Sequence, residues 1–399
     1  MQQRDEFEAE TKRLYAGHSA MEEEINFLKF RNEETSRLHD EVVMRKWRGD
    51  TSRQDFYCTF PFEHFEILPN GDVYTCCSGW LKSGYCIGNI YEQTVKEIWN
   101  SERAKILRYS VTRGDFEYCQ EYCMYLANRE KADSADSRFA IKRKDADTSW
   151  LNNYDYKNAA LPDIIALSCD ETCNLKCPSC RSHFKVFDAE QSERLENMLM
   201  KKVRPMLHSC KYIDMLGSGE VFASNACSNF LKSLTKNEFP QLQIRIISNA
   251  QLFTVHKWNE FDNLHQFPLI FHVSIDAAEK QTYEKLRLGA KWETLLENMK
   301  LIASLRQQGN ICDLTISMVV QKANYQQMPA FVELAKEWNA DAVQFQHITN
   351  WGTQSTESYE ENDIFSAHNP LREEAISVLT DVVHSATDIK VLQNIIDVK

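Results

Sequence analysis

Three cysteines within residues 173–180, Cys-Asn-Leu-Lys-Cys-Pro-Ser-Cys, have the spacing of ligands to one metal cluster. Three residues separate Cys173 from Cys177, and two separate Cys177 from Cys180. Each thiolate can bind one iron of a [4Fe–4S] cluster, which leaves the fourth iron without a protein ligand from this loop. An open coordination position on a metal is where a substrate binds. The spacing therefore predicts a cluster that keeps one iron free.

Cys169 offers an alternative to this open cluster. It precedes Cys173 with the same three-residue gap, and a fourth thiolate would complete a zinc site or a ferredoxin-like cluster. We expect a structural role for Cys169, but the spacing alone leaves both arrangements open.

A second group of cysteines lies before residue 130. The ligands predicted for it are Cys58, Cys76, Cys119 and Cys123. Four thiolates can fully bind one [4Fe–4S] cluster or one zinc ion, and the sequence does not distinguish the two metals. Cys77 is an alternative to Cys76, and Cys86 has no assigned role. A closed cluster would transfer electrons, bind substrate after losing a cysteine, or stiffen a small domain.

The strands and helices that must position Cys173, Cys177 and Cys180 alternate along the chain. Six apolar strands are predicted, at 164–168, 212–216, 244–248, 269–275, 314–320 and 342–348. Strands that alternate with helices form a parallel sheet, which is open or barrel-like. Chemistry in such folds collects at the carboxyl ends of the strands, and the loop 173–180 follows the first strand. We therefore expect an α/β fold with its active site at this edge.

Four segments are predicted along the chain. Residues 1–50 are polar with an apolar residue at nearly every seventh position, which predicts a helical extension that could contact a partner or a second copy. Residues 51–130 form a small cysteine-rich α+β domain. Residues 131–160 are charged and weakly periodic and are predicted to be a linker. Residues 161–399 form the strand–helix domain.

Composition narrows the classes of function. The chain has 399 residues and a formal net charge of −12, which disfavours nucleic-acid binding through a basic face. No apolar run reaches the length of a membrane span, and the first residues lack an apolar signal core. The 13 cysteines are expected to be reduced thiols or metal ligands rather than disulfides. We expect a cytoplasmic protein without nucleic-acid or membrane partners.

The three-cysteine loop after the first strand resembles the signature of the radical S-adenosylmethionine (SAM) superfamily. The resemblance covers about residues 161–350 and implies a partial (β/α)6 barrel similar to a TIM barrel. It also implies that the free iron chelates SAM, and that reductive cleavage yields a 5′-deoxyadenosyl radical that abstracts hydrogen from a substrate. Later strand ends match the superfamily in order: Gly219 and Glu220 for the amino group of SAM, Ser248 and Asn249 for the ribose, Ser274 and Arg287 for the ribose and carboxylate, and 348–353 near the adenine.

The segment 51–130 resembles the SPASM/twitch type of auxiliary-cluster domain. The resemblance rests on Pro-Asn-Gly-Asp at 69–72, which predicts a hairpin turn, on Gly-Asn-Ile at 88–90, and on an amphipathic helix predicted over 95–110. It implies a second, auxiliary [4Fe–4S] cluster. In most relatives this domain follows the barrel, whereas here it precedes the barrel.

The resemblance implies a radical SAM oxidoreductase that acts on a sugar, a glycoside or a peptide. The auxiliary cluster would accept an electron in a net oxidation or assist an epimerisation. A reducing partner such as flavodoxin or ferredoxin would supply the electron that cleaves SAM. A non-catalytic iron–sulfur sensor or scaffold and a structural zinc protein are the alternatives.

Overall fold

The computed structural model describes residues 56–82, 85–120, 123, 140–142, 150, 154–156, 159–215, 218–350 and 353–395. The predicted helical extension over 1–50 lies outside these residues, as does most of the predicted linker. Two compact units are present: one runs up to Phe65 and continues over Asp72–Leu161, and the other consists of Glu66–Gly71 and Pro162–Lys399. None of the described helices is long and apolar enough to cross a membrane.

The first unit consists of short strands and helices. In chain order its elements are β1 (Phe56–Cys58), α1 (Phe60–Glu63), β2 (His64–Ile67, divided between the units), β3 (Asp72–Tyr74), β4 (Gly88–Asn89), α2 (Val95–Trp99), α3 (Glu102–Arg113) and β5 (Ala140–Lys142). β1 pairs antiparallel with β5, and β3 pairs antiparallel with β4. β5 lies within the segment that the sequence predicts as a linker, so part of that segment has regular structure.

The turn predicted at 69–72 is present. Gly71 N donates to Leu68 O at 2.9 Å, and Gly71 has a φ of 88°. This left-handed conformation strains a residue with a side chain and is easily adopted by glycine. The turn spans Leu68–Gly71, one residue earlier than predicted, and β3 begins directly after it at Asp72.

The single helix predicted over 95–110 is wrong, because two capped helices occupy this stretch. Thr94 caps α2: Glu97 N donates to Thr94 Oγ1 at 3.3 Å, and Thr94 N donates to Glu97 Oε2 at 2.8 Å. Ser101 caps α3, with its Oγ accepting from Ala104 N at 3.3 Å. A serine at this position binds an amide that the first turn of a helix leaves without a partner. Ser101 therefore begins a new helix.

The second unit contains a large parallel sheet. Its strands are β6 (Ile164–Leu167), β7 (Tyr212–Met215), β8 (Gln243–Ser248), β9 (Leu269–Ser274), β10 (Ile311–Val320), β11 (Ala342–His347) and β12 (Lys390–Gln393). Each strand pairs in parallel with the next one along the chain. The six predicted strands and the parallel sheet are thus confirmed. β12 is not predicted, because Lys-Val-Leu-Gln is short and only half apolar.

Helices connect these strands. They are α4 (Ala189–Met198), α5 (Asn225–Lys232), α6 (Val255–Glu260), α7 (Lys280–Leu286), α8 (Trp292–Gln307), α9 (Met328–Glu337), α10 (Thr356–Asn362) and α11 (Arg372–Ser385). α8 packs against β10 and buries Leu295, Met299 and Ile302. Each such side chain contributes about 1.5–3 kcal/mol when it leaves water. Helix packing therefore anchors one face of the sheet.

The two faces of the sheet differ in character. Buried and partly exposed side chains alternate along β8 and β9. The buried set consists of the apolar residues Ile244, Ile246, Leu269, Phe271 and Val273, together with Ser248 at the end of β8. The partly exposed set includes Arg245, His272 and Ser274. One face therefore belongs to the core, and the other presents polar groups.

Candidate active site

The loop that carries the first three predicted ligands follows β6 and is held by backbone hydrogen bonds. Cys173 N donates to Lys185 O at 3.0 Å, and Cys180 N donates to Cys177 O at 2.9 Å. Cys173 and Cys177 are buried, whereas Cys180 is exposed. The Cys177 thiol lies close enough to Cys173 and Cys180 to interact electrostatically with both. The structure thus brings the three cysteines together at the carboxyl end of β6.

Two arginines lie beside these thiols. Arg287 Nη1 is 3.9 Å from Cys177 Sγ, and Arg181 Nη2 is 3.5 Å from Cys180 Sγ. Burial raises the pKa of Cys173 to about 11 and also raises the pKa of Cys177, which the Arg287 charge partly offsets. Nearby cations favour the thiolate, the form that binds metal. Three adjacent thiols with two flanking cations fit a [4Fe–4S] cluster that lacks a fourth protein ligand.

Gly219 allows the loop after β7 to approach the cysteine loop closely. Glu220 N donates to Thr172 O at 2.7 Å. A Cβ atom added to Gly219 would lie 2.8 Å from Asp170 O and closer still to Thr172 O. Both of these atoms belong to the backbone, so they cannot move aside as a flexible side chain would. Only glycine fits this position without a shift of one of the two loops.

Glu220 joins the ends of three strands. Its carboxylate is buried and accepts hydrogen bonds from Ser248 Oγ and Asn249 N, both at 2.8 Å. Asn249 Nδ2 in turn donates to Asn174 Oδ1, inside the cysteine loop, at 2.9 Å. Burial raises the pKa of Glu220, and these hydrogen bonds act in the opposite direction. The predicted site residues at the ends of β7 and β8 are therefore in one network with the cysteine loop.

Arg287 is fixed by a residue that the sequence reading missed. Its Nε lies 2.8 Å from Asp276 Oδ2, and both side chains are largely buried. Asp276 Oδ1 accepts from Val319 N at 2.8 Å. Asp276 has a φ of 69°, a conformation that aspartate tolerates better than most residues with a side chain. Asp276 lies two residues after β9, at the edge where site residues are expected, and this position could have identified it.

Ser274 is not part of this network. It is the last residue of β9 and is partly exposed. Within the described residues its side chain makes no hydrogen bond to the Arg287–Asp276 pair or to Glu220. As the last residue of β9, Ser274 lies at the carboxyl edge of the sheet, where the cysteine loop also lies. Its predicted contact with SAM stays a prediction.

Cys169 contacts a cysteine outside the loop. A hydrogen bond with Cys227, in α5, and burial both raise the pKa of Cys169. Both residues are buried. A Cys169 side chain engaged with Cys227 supports the structural role expected for it, rather than that of a fourth ligand beside Cys173.

The four cysteines predicted for the second site lie close together in the first unit. Cys58, Cys76, Cys119 and Cys123 are all buried. Burial raises the pKa of Cys58 and of Cys76, and in each case the charges of Cys119 and Cys123 raise it further. Such mutual repulsion of buried thiolates is relieved when they bind a metal or a cluster. The donor set therefore fits a fully ligated cluster.

The two remaining cysteines of this unit differ in position. Cys77 is near enough to Cys76 to raise its pKa. Cys86 Sγ donates to Gly88 O at 3.0 Å. Among the described residues, no group of three or more His, Cys, Asp or Glu surrounds a point where a single metal ion would sit. Because Cys77 lies beside Cys76, it remains the alternative ligand to Cys76.

Comparison with a protein-family model supports the assignment of the first unit. Residues 58–124 match SPASM, an iron–sulfur cluster-binding domain. This match covers all four predicted auxiliary ligands and confirms the resemblance of that segment to the SPASM type. No curated protein matches the chain.

The solved structures that match this chain include SuiB from Streptococcus suis. SuiB bound to the precursor peptide SuiA is 16% identical with a TM-score of 0.43, over 59% of this chain and 49% of that one. SuiB bound to SAM is 14% identical with a TM-score of 0.43, over 75% and 64%. A radical SAM methyltransferase from Sphaerobacter thermophilus is 13% identical with a TM-score of 0.33, over 55% and 62%. The chain thus spans less than two-thirds of the length of each of these structures.

Proposed function

We propose that this protein is a radical SAM enzyme whose reactive cluster is held by Cys173, Cys177 and Cys180. The observation that carries the proposal is the network of Glu220, which joins the cysteine loop to the ends of β7 and β8. When bound, a [4Fe–4S] cluster with an open iron supplies the electron that cleaves SAM to methionine and a 5′-deoxyadenosyl radical. The three thiolates hold the cluster and leave one iron for SAM.

The residues around the loop would hold SAM. Gly219 lets the backbone approach the ligand, and Glu220 accepts a hydrogen bond from its ammonium group. Glu220 Oε1 accepts from Ser248 Oγ and, at 3.4 Å, from Phe222 N, whereas Oε2 accepts from Asn249 N. A carboxylate oxygen has two lone pairs, so Oε2 keeps one acceptor position for the ammonium group. Arg287 faces the carboxylate of SAM with the forked donors that suit such a group. Ser248, Asn249 and Ser274 bind the ribose.

The first unit would carry the auxiliary cluster on Cys58, Cys76, Cys119 and Cys123. A cluster held by these cysteines would supply an electron acceptor, which would make the reaction on a sugar, a glycoside or a peptide a net oxidation. Return of a hydrogen atom to the opposite face would instead give an epimerisation. In either case a reducing partner such as flavodoxin or ferredoxin supplies the electron that starts the reaction.

The same proposal extends to architecture and location. The parallel sheet of the second unit forms a partial (β/α)6 barrel, and the auxiliary-cluster domain precedes it in the chain. An oxidoreductase that depends on reduced iron–sulfur clusters and free thiols belongs in the cytoplasm.

The test is the formation of 5′-deoxyadenosine. The chain is reconstituted anaerobically with iron and sulfide, given dithionite and SAM, and followed by mass spectrometry. Wild type is expected to form 5′-deoxyadenosine and Cys177→Ala is expected to form none. Cys312→Ala is the matched control, because Cys312 is exposed and its Sγ donates to Leu269 O at 3.1 Å. A fully loaded wild type that forms no product with any of the candidate substrates would favour a sensor or scaffold.

A further inference from the structure

The face of the parallel sheet that carries His272 and Ser274, here called the polar face, also carries a row of uncharged hydrogen-bonding side chains, of which Ser317 is buried. Ser317 in β10 is in register with Ser274 in β9 on one side and with Gln344 in β11 on the other. Gln346 lies two residues after Gln344 and so projects from the same face. Neighbouring strands are about 4.8 Å apart, so the row from Ser274 to Gln344 spans roughly 10 Å. This length suits a sugar ring with its substituents or about three residues of extended peptide.

Several of these side chains have unused hydrogen-bonding capacity. Across the described part of the chain, the side chains of His272, Gln344 and Gln346 make no hydrogen bond. Gln321, directly after β10, has an Nε2 that is buried and also lacks a partner. A buried donor without a partner has lost its hydrogen bonds to water and is energetically unfavourable. A ligand that accepts hydrogen bonds would remove this cost.

The charged side chains near the carboxyl half of this face are paired with each other. Asp214 in β7 and Arg245 in β8 are in register and form an ion pair, so their charges offset each other. Burial and the Arg245 charge lower the pKa of His272 to about 4, so its imidazole is neutral at pH 7. Asp276, whose backbone N donates to Ser317 O at 3.2 Å, is likewise paired with Arg287. A charged group of a ligand would therefore find no unpaired opposite charge beside His272 or Ser317.

We propose, on the basis of the proposed function, that this face binds the substrate through an uncharged group rich in hydroxyls or amides. Ser317, Gln321, Gln344 and Gln346 are then the residues that determine specificity. Serine hydroxyls and glutamine amides each donate and accept, which matches the hydroxyl and amide groups of a ligand. A site built from such groups rejects an apolar analogue, because binding it would leave several of them unpaired. The row ends at Ser274, on the edge where the cysteine loop lies.

The test measures binding of three probes to the reconstituted full chain by saturation-transfer NMR. Methyl β-D-glucopyranoside represents hydroxyls, N-acetylglycine N-methylamide represents amides, and toluene represents an apolar group. At least one polar probe is expected to bind, and its Kd is expected to rise at least fivefold in Gln344→Leu/Gln346→Leu. Preference for the glucoside would identify a sugar substrate, and preference for the amide would identify a peptide.

Two further variants make the result decisive. Gln308→Leu is the matched control, since Gln308 is exposed and donates to Ser304 Oγ at 2.8 Å away from this face; its Kd is expected to equal that of wild type. Gln346→Met is nearly isosteric and replaces the double variant if that variant fails to fold. Binding of toluene alone, binding of no probe, or a polar affinity unchanged in the folded variants would overturn the proposal.

Failure here and failure of the proposed function give different results. If the chain binds a polar probe but forms no 5′-deoxyadenosine in any assay, the polar face stands and the enzyme assignment falls. If it cleaves SAM but binds neither polar probe, the enzyme assignment stands and the polar face falls.

Discussion

Arg287 shows that a single site residue depends on groups far from it in sequence. Its guanidinium lies between Cys177 Sγ, at 3.9 Å, and Asp276 Oδ2, at 2.8 Å. Burial alone would lower the pKa of Arg287, but the negative charge of Asp276 raises it, so the cation is retained. The backbone of Val319 holds Asp276 in turn. The position of one cation beside Cys177 thus depends on the ends of two strands.

This dependence predicts the effect of Asp276→Asn. The substitution leaves Arg287 buried without a counter-charge, and such a change is expected to lower the free energy of unfolding by about 3–5 kcal/mol. Glu293→Gln is the control, because it breaks an ion pair with Lys280 in which both side chains are exposed, 52% and 65%. Because water screens this pair, Glu293→Gln is expected to change stability very little. Urea unfolding of both variants measures the difference, and equal losses would contradict the prediction.

A second prediction at this scale concerns Gly219→Ala. The added Cβ would be 2.8 Å from Asp170 O, so the loop after β7 must move away from the cysteine loop. We expect a loss of about 1–3 kcal/mol in stability and at least a tenfold weaker affinity for SAM. Gly79→Ala is the matched control, because a Cβ there meets nothing within 4 Å. Calorimetric titration with SAM measures the affinity; an unchanged Kd in Gly219→Ala would show that the close approach is not needed.

At the scale of elements, the hydrophobic periodicity of 95–110 predicts one helix and does not indicate the break between α2 and α3. Buried residues lie on both sides of the break, among them Trp99 in α2 and Ala104 in α3. Ser101 interrupts the helical pattern through its side-chain hydrogen bond to Ala104 N. Local hydrogen bonding by a serine can therefore override a helical pattern that hydrophobicity alone would continue.

The cap predicts the outcome of Ser101→Ala. Loss of the hydroxyl leaves the first amides of α3 short of a partner, so we expect a loss of about 1 kcal/mol. Ser101→Asp keeps an acceptor at the same position and is expected to restore wild-type stability. Thermal unfolding followed by circular dichroism compares the two. If alanine and aspartate lower the melting temperature equally, the cap does not determine where α3 begins.

For the whole molecule, features that depend on local sequence could be predicted, whereas features that depend on contacts between distant segments could not. Strand positions and the cysteine groups were readable because they depend on local alternation and spacing. β12 and Asp276 were missed because their roles arise only when distant segments meet: β12 pairs with β11, and Asp276 pairs with Arg287. The contact of Cys169 with Cys227 is of the same kind. Sequence patterns thus indicated which residues carry the chemistry but not what fixes them in place.

The two cysteine groups predict the iron content of the whole chain. A reconstituted chain with two [4Fe–4S] clusters holds about eight irons. Replacing Cys173, Cys177 and Cys180 together by alanine is expected to leave about four, and replacing Cys58, Cys76, Cys119 and Cys123 together is expected to leave the other four. Cys312→Ala, which alters an exposed thiol outside both groups, is expected to keep all eight.

Iron and acid-labile sulfide analysis, with zinc measured in the same samples, distinguishes the possible metals of the second group. Equal losses of iron and sulfide from each multiple variant would support two clusters that form independently. Zinc that is lost only when Cys58, Cys76, Cys119 and Cys123 are replaced would show that these buried thiolates hold a single ion. The first unit would then stabilise the fold without exchanging electrons, and the substrate radical would need another oxidant.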